Sequence, residues 1–416
     1  MSEFSNRRQK LFDLLPEGSI AIVHSGVSKI ASEDETYPFT VNNDFFYLTG
    51  FKQENSLLLL VKGIAEERTY LFIDEYSELK EKWTGKRATL EEASLVSDIN
   101  NVLVNGTFDS KLDLAIQKGS LHYGKIQTVF LDERKIIHVK ENFTGLDEKE
   151  RIATLYPHVE FKDVHQLITE LRMVKSLFEV ECIKSAINLT NLGINQILSD
   201  MRVGKKEYEL ADIFEFYGRE HGQAPLAFST IVAGGKNGVV LHYPTQKDIL
   251  RDGDLVLFDL GYQHEGYCAD ISRTYPITGR FSDLQKRIYE VVLLCNKAVI
   301  EYIHEGLTLQ DLQNFAVDFL SNELVRRGLM KADDDIKKYY YHNISHHLGL
   351  DTHDVADRSK PLQAGNVITV EPGLYFAEYG IGIRIEDDVL VTKEGTEVLS
   401  RNIKKDVVDI EKMLRK

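Results

Sequence analysis

Short apolar runs at residues 20–24, 57–61, 69–73 and 128–131 alternate through roughly the first 165 residues with polar stretches, such as 5–14 and 90–100, whose apolar positions fit one face of a helix. Such runs need a cover on each face, so the rhythm predicts a mixed α/β unit of strands flanked by helices. From Ser176 the texture changes. Ser176-Leu-Phe-Glu179 has the spacing of a capping box, in which the Ser oxygen and the Glu carboxylate each satisfy an otherwise unpaired helix amide, and it opens an apolar-periodic helix to about Met201. Ser282-Asp-Leu-Gln285 repeats the signal for a helix ending near Gly306, and the segment from Thr308 to Gly328 carries an N-cap and a terminal glycine for a third. Between and after these helices, 255–262 with 267–275 and 367–376 with 382–391 read as two strand pairs. The expected organisation is an α/β unit over 1–165 and an α+β unit over 166–416.

The two strand pairs place acids where acids repel. A hairpin turning between His264 and Glu265 sets Asp259 directly opposite Asp270, and one turning between Glu378 and Tyr379 sets Glu371 opposite Glu386. Opposed Cβ atoms lie about 4.5–5.5 Å apart, a spacing at which like charges destabilise the pair. Asp259 ends the apolar run 255–258 and Glu371 follows 367–370, runs that read as strands buried on both faces. Buried carboxylates either neutralise or find a cation. Asp259-Leu-Gly261 and Glu371-Pro-Gly373 also share an acid-x-Gly start, consistent with an internal duplication. His342, His346, His347 and His353, four of the 13 histidines, fall within twelve residues and are a candidate ligand source. Four carboxylates with one imidazole form an oxygen-rich set that suits manganese, iron or cobalt, and four negative charges match two divalent ions in a hydrolytic centre.

Composition narrows the classes. With 65 acids against 50 bases and a net charge of −15, no segregated basic stretch is present to bind nucleic acid. No apolar run approaches the roughly 18 residues of a membrane span, and the amino terminus lacks a signal-peptide pattern, so a cytoplasmic location without membrane association is expected. Cys182, Cys268 and Cys295 form neither a disulfide framework nor a thiolate zinc motif. AGGKNG at 233–238 lacks the order of a phosphate-binding loop, and no GxSxG occurs.

The ordered set Asp259, Asp270, His346, Glu371 and Glu386, within VLFDLGYQHEGYCADISRTYP, SHHLGLDTHD, TVEPGLY and GIRIEDDV, resembles the ligand set of the metal-dependent pita-bread peptidases. The amino-terminal stretches RRQKLFDLLPEGSIAIV and DETYPFTVNNDFFYLTGF are similar to the amino-terminal domain of the aminopeptidase P members. The resemblance implies an α+β pita-bread catalytic domain at 166–416 preceded by a mixed α/β domain at 1–165. It also implies hydrolysis of the amino-terminal Xaa-Pro bond of peptides with proline in second position, by a hydroxide held between two divalent ions, with manganese expected.

Carried over by resemblance, those five residues are the ligands and Glu371 also handles the proton. His353 hydrogen-bonds the scissile carbonyl and its tetrahedral intermediate, and His242 positions the peptide. His342, Tyr375 and Arg384 lie near the proline side of the substrate. Trp83 corresponds to a tryptophan lent by a neighbouring subunit, which implies a homo-oligomer, a dimer or a tetramer. Strand alternation independently puts Arg384 on the face of Glu386. Thr40 and Gln246 depart from the resemblance, standing where arginine and asparagine are common. An Xaa-Pro dipeptidase is the alternative reading; a metal-free hydrolase and a non-catalytic binding protein on the same scaffold are disfavoured by the intact ligand set.

Overall fold

The apolar runs of the amino-terminal part pair into one sheet of six strands, in the order Val102–Val104, Glu67–Ile73, Leu57–Lys62, Ser19–His24, Thr128–Leu131 and Glu160–Asp163. The computed structural model describes residues 2–118, 122–132, 144–222 and 224–415, and the chain divides into the units Met1–Arg172 and Met173–Lys416. In the first unit the three strands spanning 19–73 pair antiparallel and the outer pairings are parallel. Ile20, Ile22, Leu59, Val61 and Val129 pack on Phe108, Leu112 and Ile152, while Ala21, Val23, Leu58 and Leu60 are buried as well. Burial on both faces explains why these strands read as continuous apolar runs and not as alternating ones.

In the second unit the helices begin where their caps indicate. Ser176 and Ser282 complete capping boxes with Glu179 and Gln285 at the heads of Leu177–Asp200 and Asp283–Tyr302. Thr308 and Asp311 do the same for Leu309–Arg326, and Gly328, at φ +64°, follows its end. Helix Asp283–Tyr302 packs against the second strand pair, and Leu177–Asp200 against the tip of the first.

The second strand pair has the register its turn implies. Val367–Val370 pairs with Asp387–Thr392, Gly373–Phe376 pairs with Ile381–Arg384, and both ladders keep one phase, with Val370 opposite Asp387 and Gly373 opposite Arg384. Between the ladders lies a break of two residues on each strand, and Glu371 and Glu386 occupy its facing positions. The first pair differs from the expected register by one residue at its turn. The turn residues are Glu265 and Gly266, both at positive φ (+50° and +85°), so Asp259 faces Ser272 and Asp270 stands diagonal to it, opposite Gly261. A two-residue hairpin loop with both φ positive takes glycine readily at its second position, and Gly266 was the signal for it. The two acids still share a face, because the offset is two residues. The acid-x-Gly starts therefore stand differently to the ladders: Asp259 lies within one, Glu371 in a break.

The second hairpin also meets the backbone of the 3-10 turn Gly235–Val239. A Cβ added to Gly382 would overlap the Gly238 carbonyl, whereas one added to Gly106 would meet open space. Gly382→Ala is expected to lower the unfolding free energy by about 1–3 kcal/mol or more. Gly106→Ala should leave the denaturant midpoint unchanged, and equal midpoints for the two variants would contradict the close approach.

Candidate metal centre and substrate cleft

Five chain segments deliver the acids and the imidazole. Asp259 comes from strand Leu255–Leu260, Asp270 immediately precedes Ile271–Pro276, Glu371 and Glu386 sit in the ladder break, and His346 lies in the irregular segment before Val367. Backbone bonds stitch these segments together: Glu386 N–H donates to Ser272 C=O (3.0 Å), Glu371 N–H to Ile344 C=O (2.9 Å) and Thr369 N–H to His346 C=O (2.9 Å). The side chains form three overlapping groups, Asp259/Asp270/Glu386, His346/Glu371/Glu386 and Asp270/His346/His353, with the ligand atoms of each within 4.8 Å of one another. Among the described residues all the candidate groups of this kind fall in this cluster.

The cluster is strained as an array of bare charges. Burial, then the nearby acids, push the Asp270 carboxyl well above the usual range, and Glu371 is raised likewise by burial and Glu386. Burial and Asp259 hold Glu386 up at about 7. His346 Nδ1 lies 3.0 Å from the His347 carbonyl, which assigns the proton to Nδ1 and turns the Nε2 lone pair toward Asp270 Oδ2 (3.4 Å) and Glu371 Oε1 (3.6 Å). Acceptors thus face acceptors. Glu386 Oε1 is buried with no hydrogen-bond partner. A divalent cation resolves both features, and oxygen ligands with one imidazole suit a hard or borderline ion.

Only part of the charge is answered by the protein. Arg384 donates from Nη2 to Asp259 Oδ2 (2.6 Å), from Nε to Ser272 Oγ (2.7 Å) and from Nη1 to the Tyr375 hydroxyl (3.2 Å). Ser272 Oγ lies 2.7 Å from Glu386 Oε2 and 3.1 Å from Asp259 Oδ1, so one hydroxyl spans two of the expected ligands. Sequence reading passed over Ser272, although strand alternation places it on the face of Asp270. Behind the cluster, Asp387 is paired with Arg273 and Lys405, which pull its carboxyl below the ordinary range despite full burial. The loop carrying His346 and His353 is pinned by a fully buried ion pair, Lys175 Nζ to Asp354 Oδ2 at 2.9 Å.

A cleft of about 740 Å3 opens over Asp259 and Asp270, with His242, Thr230, Gln246 and His353 in its walls. The rings of His353 and His346 lie 4.2 Å apart, and burial lowers the His353 pKa to about 4, so it is neutral at pH 7. His342 Nδ1 faces its neighbouring carbonyl, which leaves Nε2 to accept from the Tyr375 hydroxyl at 2.9 Å. Burial and Arg384 hold His342 down at about 3. Arg384, Tyr375 and His342 are therefore one hydrogen-bonded chain of a cation, a phenol and a neutral imidazole. His347 is buried and its Nδ1 lacks a partner, in keeping with a structural place for it. Gln246 adopts φ +47°, a region in which asparagine is enriched and glutamine is not, which gives a physical reason for asparagine there. Trp83 belongs to the amino-terminal unit. It is 83% exposed, on helix Glu78–Thr84, none of whose residues is buried.

A cluster of carboxylates and one imidazole suited to divalent ions, in a chain that a metallopeptidase family model matches, defines the class, a metallopeptidase. The description "Metallopeptidase family M24" matches residues 181–393 and "Aminopeptidase P, N-terminal domain" matches 4–122, and the chain belongs to that family. An Xaa-Pro aminopeptidase from Haemophilus influenzae is 33% identical over 99% of this chain and 97% of its own length, and one from Escherichia coli is 31% identical with the same coverage. Among solved structures, a Bacillus anthracis chain provisionally assigned as an aminopeptidase P superposes with a TM-score of 0.94 at 39% identity, covering 99% of this chain and 97% of that one. Zinc-substituted Escherichia coli aminopeptidase P in complex with product superposes with a TM-score of 0.89 at 29% identity, covering 100% and 99%.

Two outcomes follow from the charge arrangement. Manganese at about a hundredfold over its dissociation constant should stabilise the fold by about 2.7 kcal/mol, read as a rise in melting temperature that Glu386→Gln largely removes. Because the raised carboxyls must shed protons to hold a cation, affinity should climb as pH rises through about 7, where Glu386 titrates. Calorimetry in buffers of different ionisation enthalpy would show the released protons; pH-independent affinity would contradict the arrangement. Separately, Lys175→Met removes the ammonium paired with the buried Asp354 carboxylate and should cost about 3–5 kcal/mol in denaturant unfolding.

Proposed function

We propose that this chain hydrolyses the amino-terminal Xaa-Pro bond of peptides with proline in second position, using two divalent ions, with manganese the expected metal. The observation that carries the reading is the convergence of Asp259, Asp270, His346, Glu371 and Glu386, with Glu386 Oε1 buried and unpartnered and with Asp259 and Asp270 lining the cleft walled by His242 and His353. The amino-terminal aminopeptidase P match supports the proline specificity. Bound at these residues, the ions would supply Lewis acidity, acidifying a water and polarising the scissile carbonyl.

The protein's own groups do the rest. Glu371, whose carboxyl holds protons well above its ordinary range before metal binds, accepts the proton of the attacking water and returns it to the departing nitrogen. That return matters for proline, whose tertiary amide nitrogen has no hydrogen and must gain one to leave as an amine. His353, neutral and exposed to the cleft, donates a hydrogen bond to the carbonyl oxygen as negative charge develops there. His242 orients the peptide across the cleft. The Arg384–Tyr375–His342 chain fixes the proline side, where a neutral His342 with both ring nitrogens engaged acts as a wall and not as an acid. Trp83, with its ring in solvent, fits the loan to a neighbouring copy, and a homo-oligomer, a dimer or a tetramer, follows from that reading. Three buried cysteines that form no disulfide, together with bacterial relatives, support a cytoplasmic location; no helix of the described residues is long and apolar enough to cross a membrane.

With manganese supplied, Glu371→Gln and Asp270→Asn should each lower kcat by roughly a hundredfold or more on an Xaa-Pro-Yaa tripeptide. Near-normal turnover by either would sink the mechanism. A side-by-side assay should show cleavage of Xaa-Pro-Yaa and dependence on the metal, whereas activity confined to Xaa-Pro dipeptides would establish the dipeptidase alternative.

A further inference from the structure

Glu207 is the first residue of helix Glu207–Glu220, and its relative exposure is 0%. A carboxylate so placed needs compensation, and four neutral donors surround it. Oε1 accepts from the Gly234 backbone N–H (2.8 Å) and the Asn237 side-chain amide (2.9 Å). Oε2 accepts from the Asp248 backbone N–H (3.0 Å) and the Tyr243 hydroxyl (3.1 Å). The Asn237 amide also lies 3.0 Å from both the Tyr243 hydroxyl and Asp248 Oδ2. The helix start adds favourable potential for the negative charge. In return, the Glu207 and Tyr208 N–H groups donate to the carbonyls of Asp248 and Gln246 (3.1 Å each).

The donors come from the two ends and the middle of a single excursion. Gly234 closes strand Ile231–Gly234, Asn237 lies in the 3-10 turn, Tyr243 follows His242, and Asp248 is where the chain turns back. Glu207 therefore closes the segment 234–248 into a loop. That segment forms one wall of the cleft, contributing His242, Tyr243, Pro244 and Gln246. His242 has no hydrogen-bond partner of its own among the described residues and is exposed, so its ring is placed by its backbone alone. The backbone is placed by the neighbouring Tyr243, whose hydroxyl ends on Glu207. Leu250 packs so closely on Gly234 that an added Cβ would overlap its side-chain end, and the Gly234 N–H bond ties this strand end to the same carboxylate.

We propose that Glu207 is a positioning residue for the peptide-binding step, holding His242 at the cleft through Tyr243 and the closed 234–248 loop. The inference rests on the reading of His242 as the group that orients the peptide.

The test is a double-mutant cycle with manganese-loaded enzyme and an Xaa-Pro-Yaa tripeptide. Glu207→Gln keeps the volume but presents an amide donor to two of the four donors, so the loop loses its clamp. It should lower kcat/KM by about tenfold or more, the scale of hydrogen bonds lost at a charged acceptor, with bound manganese unchanged. His242→Ala should give a comparable loss, and the double variant should fall no further than His242→Ala within about threefold. Tyr243→Phe removes one donor without exposing a charge, and should show a smaller loss that likewise disappears in the His242→Ala background; it decides the matter if Glu207→Gln does not fold. Multiplying losses in the double variants overturn the proposal, as does a lower melting temperature for Glu207→Gln with kcat/KM intact. A silent His242→Ala instead removes the reading of His242, and the proposal with it.

Discussion

Gathering four carboxylates into one largely buried cluster is the constraint around which the carboxy-terminal unit is organised. Each acid raises the cost of ionising the next, and the pKa directions at Asp270, Glu371 and Glu386 record that mutual repulsion. The protein does not cancel it. Arg384 supplies one buried positive charge at the edge of the cluster, Ser272 one hydroxyl, and the remaining imbalance is the driving force for a divalent cation. A site that balanced its own charges would bind metal weakly. Here the unpaired Glu386 oxygen and the His346 lone pair turned toward carboxylates keep the arrangement poised for a cation.

Holding such an arrangement together takes rigidity from outside it. Two strand pairs joined by backbone bonds carry the four acids, and the His346–His353 loop is tied down by Lys175 and Asp354. The Arg273–Asp387–Lys405 group neutralises the acid next to Glu386, so that this neighbour does not add to the field at the site. The polar chain from Arg384 through Tyr375 to His342 extends the same order outward from Asp259. Each hydrogen bond in it fixes the tautomer or orientation of the next group, which is how a buried network specifies one geometry. Motion in this region would have to break several such bonds at once.

How much of this the sequence showed depends on whether the signal was local. Two capping boxes were legible because donor and acceptor lie three residues apart, the third helix by its N-cap and terminal glycine, and the second hairpin because its acids fall symmetrically about a glycine-flanked turn. The first hairpin was misregistered at its turn, since Gly266 gives a local signal but Glu265 at positive φ does not. The acids themselves were found anyway, because a shift of two keeps them on one face. Ser272, Lys175 and Glu207 escaped notice for another reason: their partners are 13 to 179 residues distant, and a serine, a lysine or a glutamate carries no mark of burial. The roles of His242 and His353 came from resemblance, and the structure adds that both line one cleft.

The break in the second hairpin removes the same number of residues from the ladder on each strand, so pleat and register continue in phase across it. The facing of Glu371 and Glu386 is thereby determined twice, once by the ladder below and once by the ladder above. Either would align them alone. Evolution can then lengthen or shorten the turn around Ala377–Tyr379, altering the outer surface of the molecule, without disturbing the spacing of the two glutamates. A metal centre built on such a redundant frame can be inherited unchanged while the loops that choose its substrates diverge.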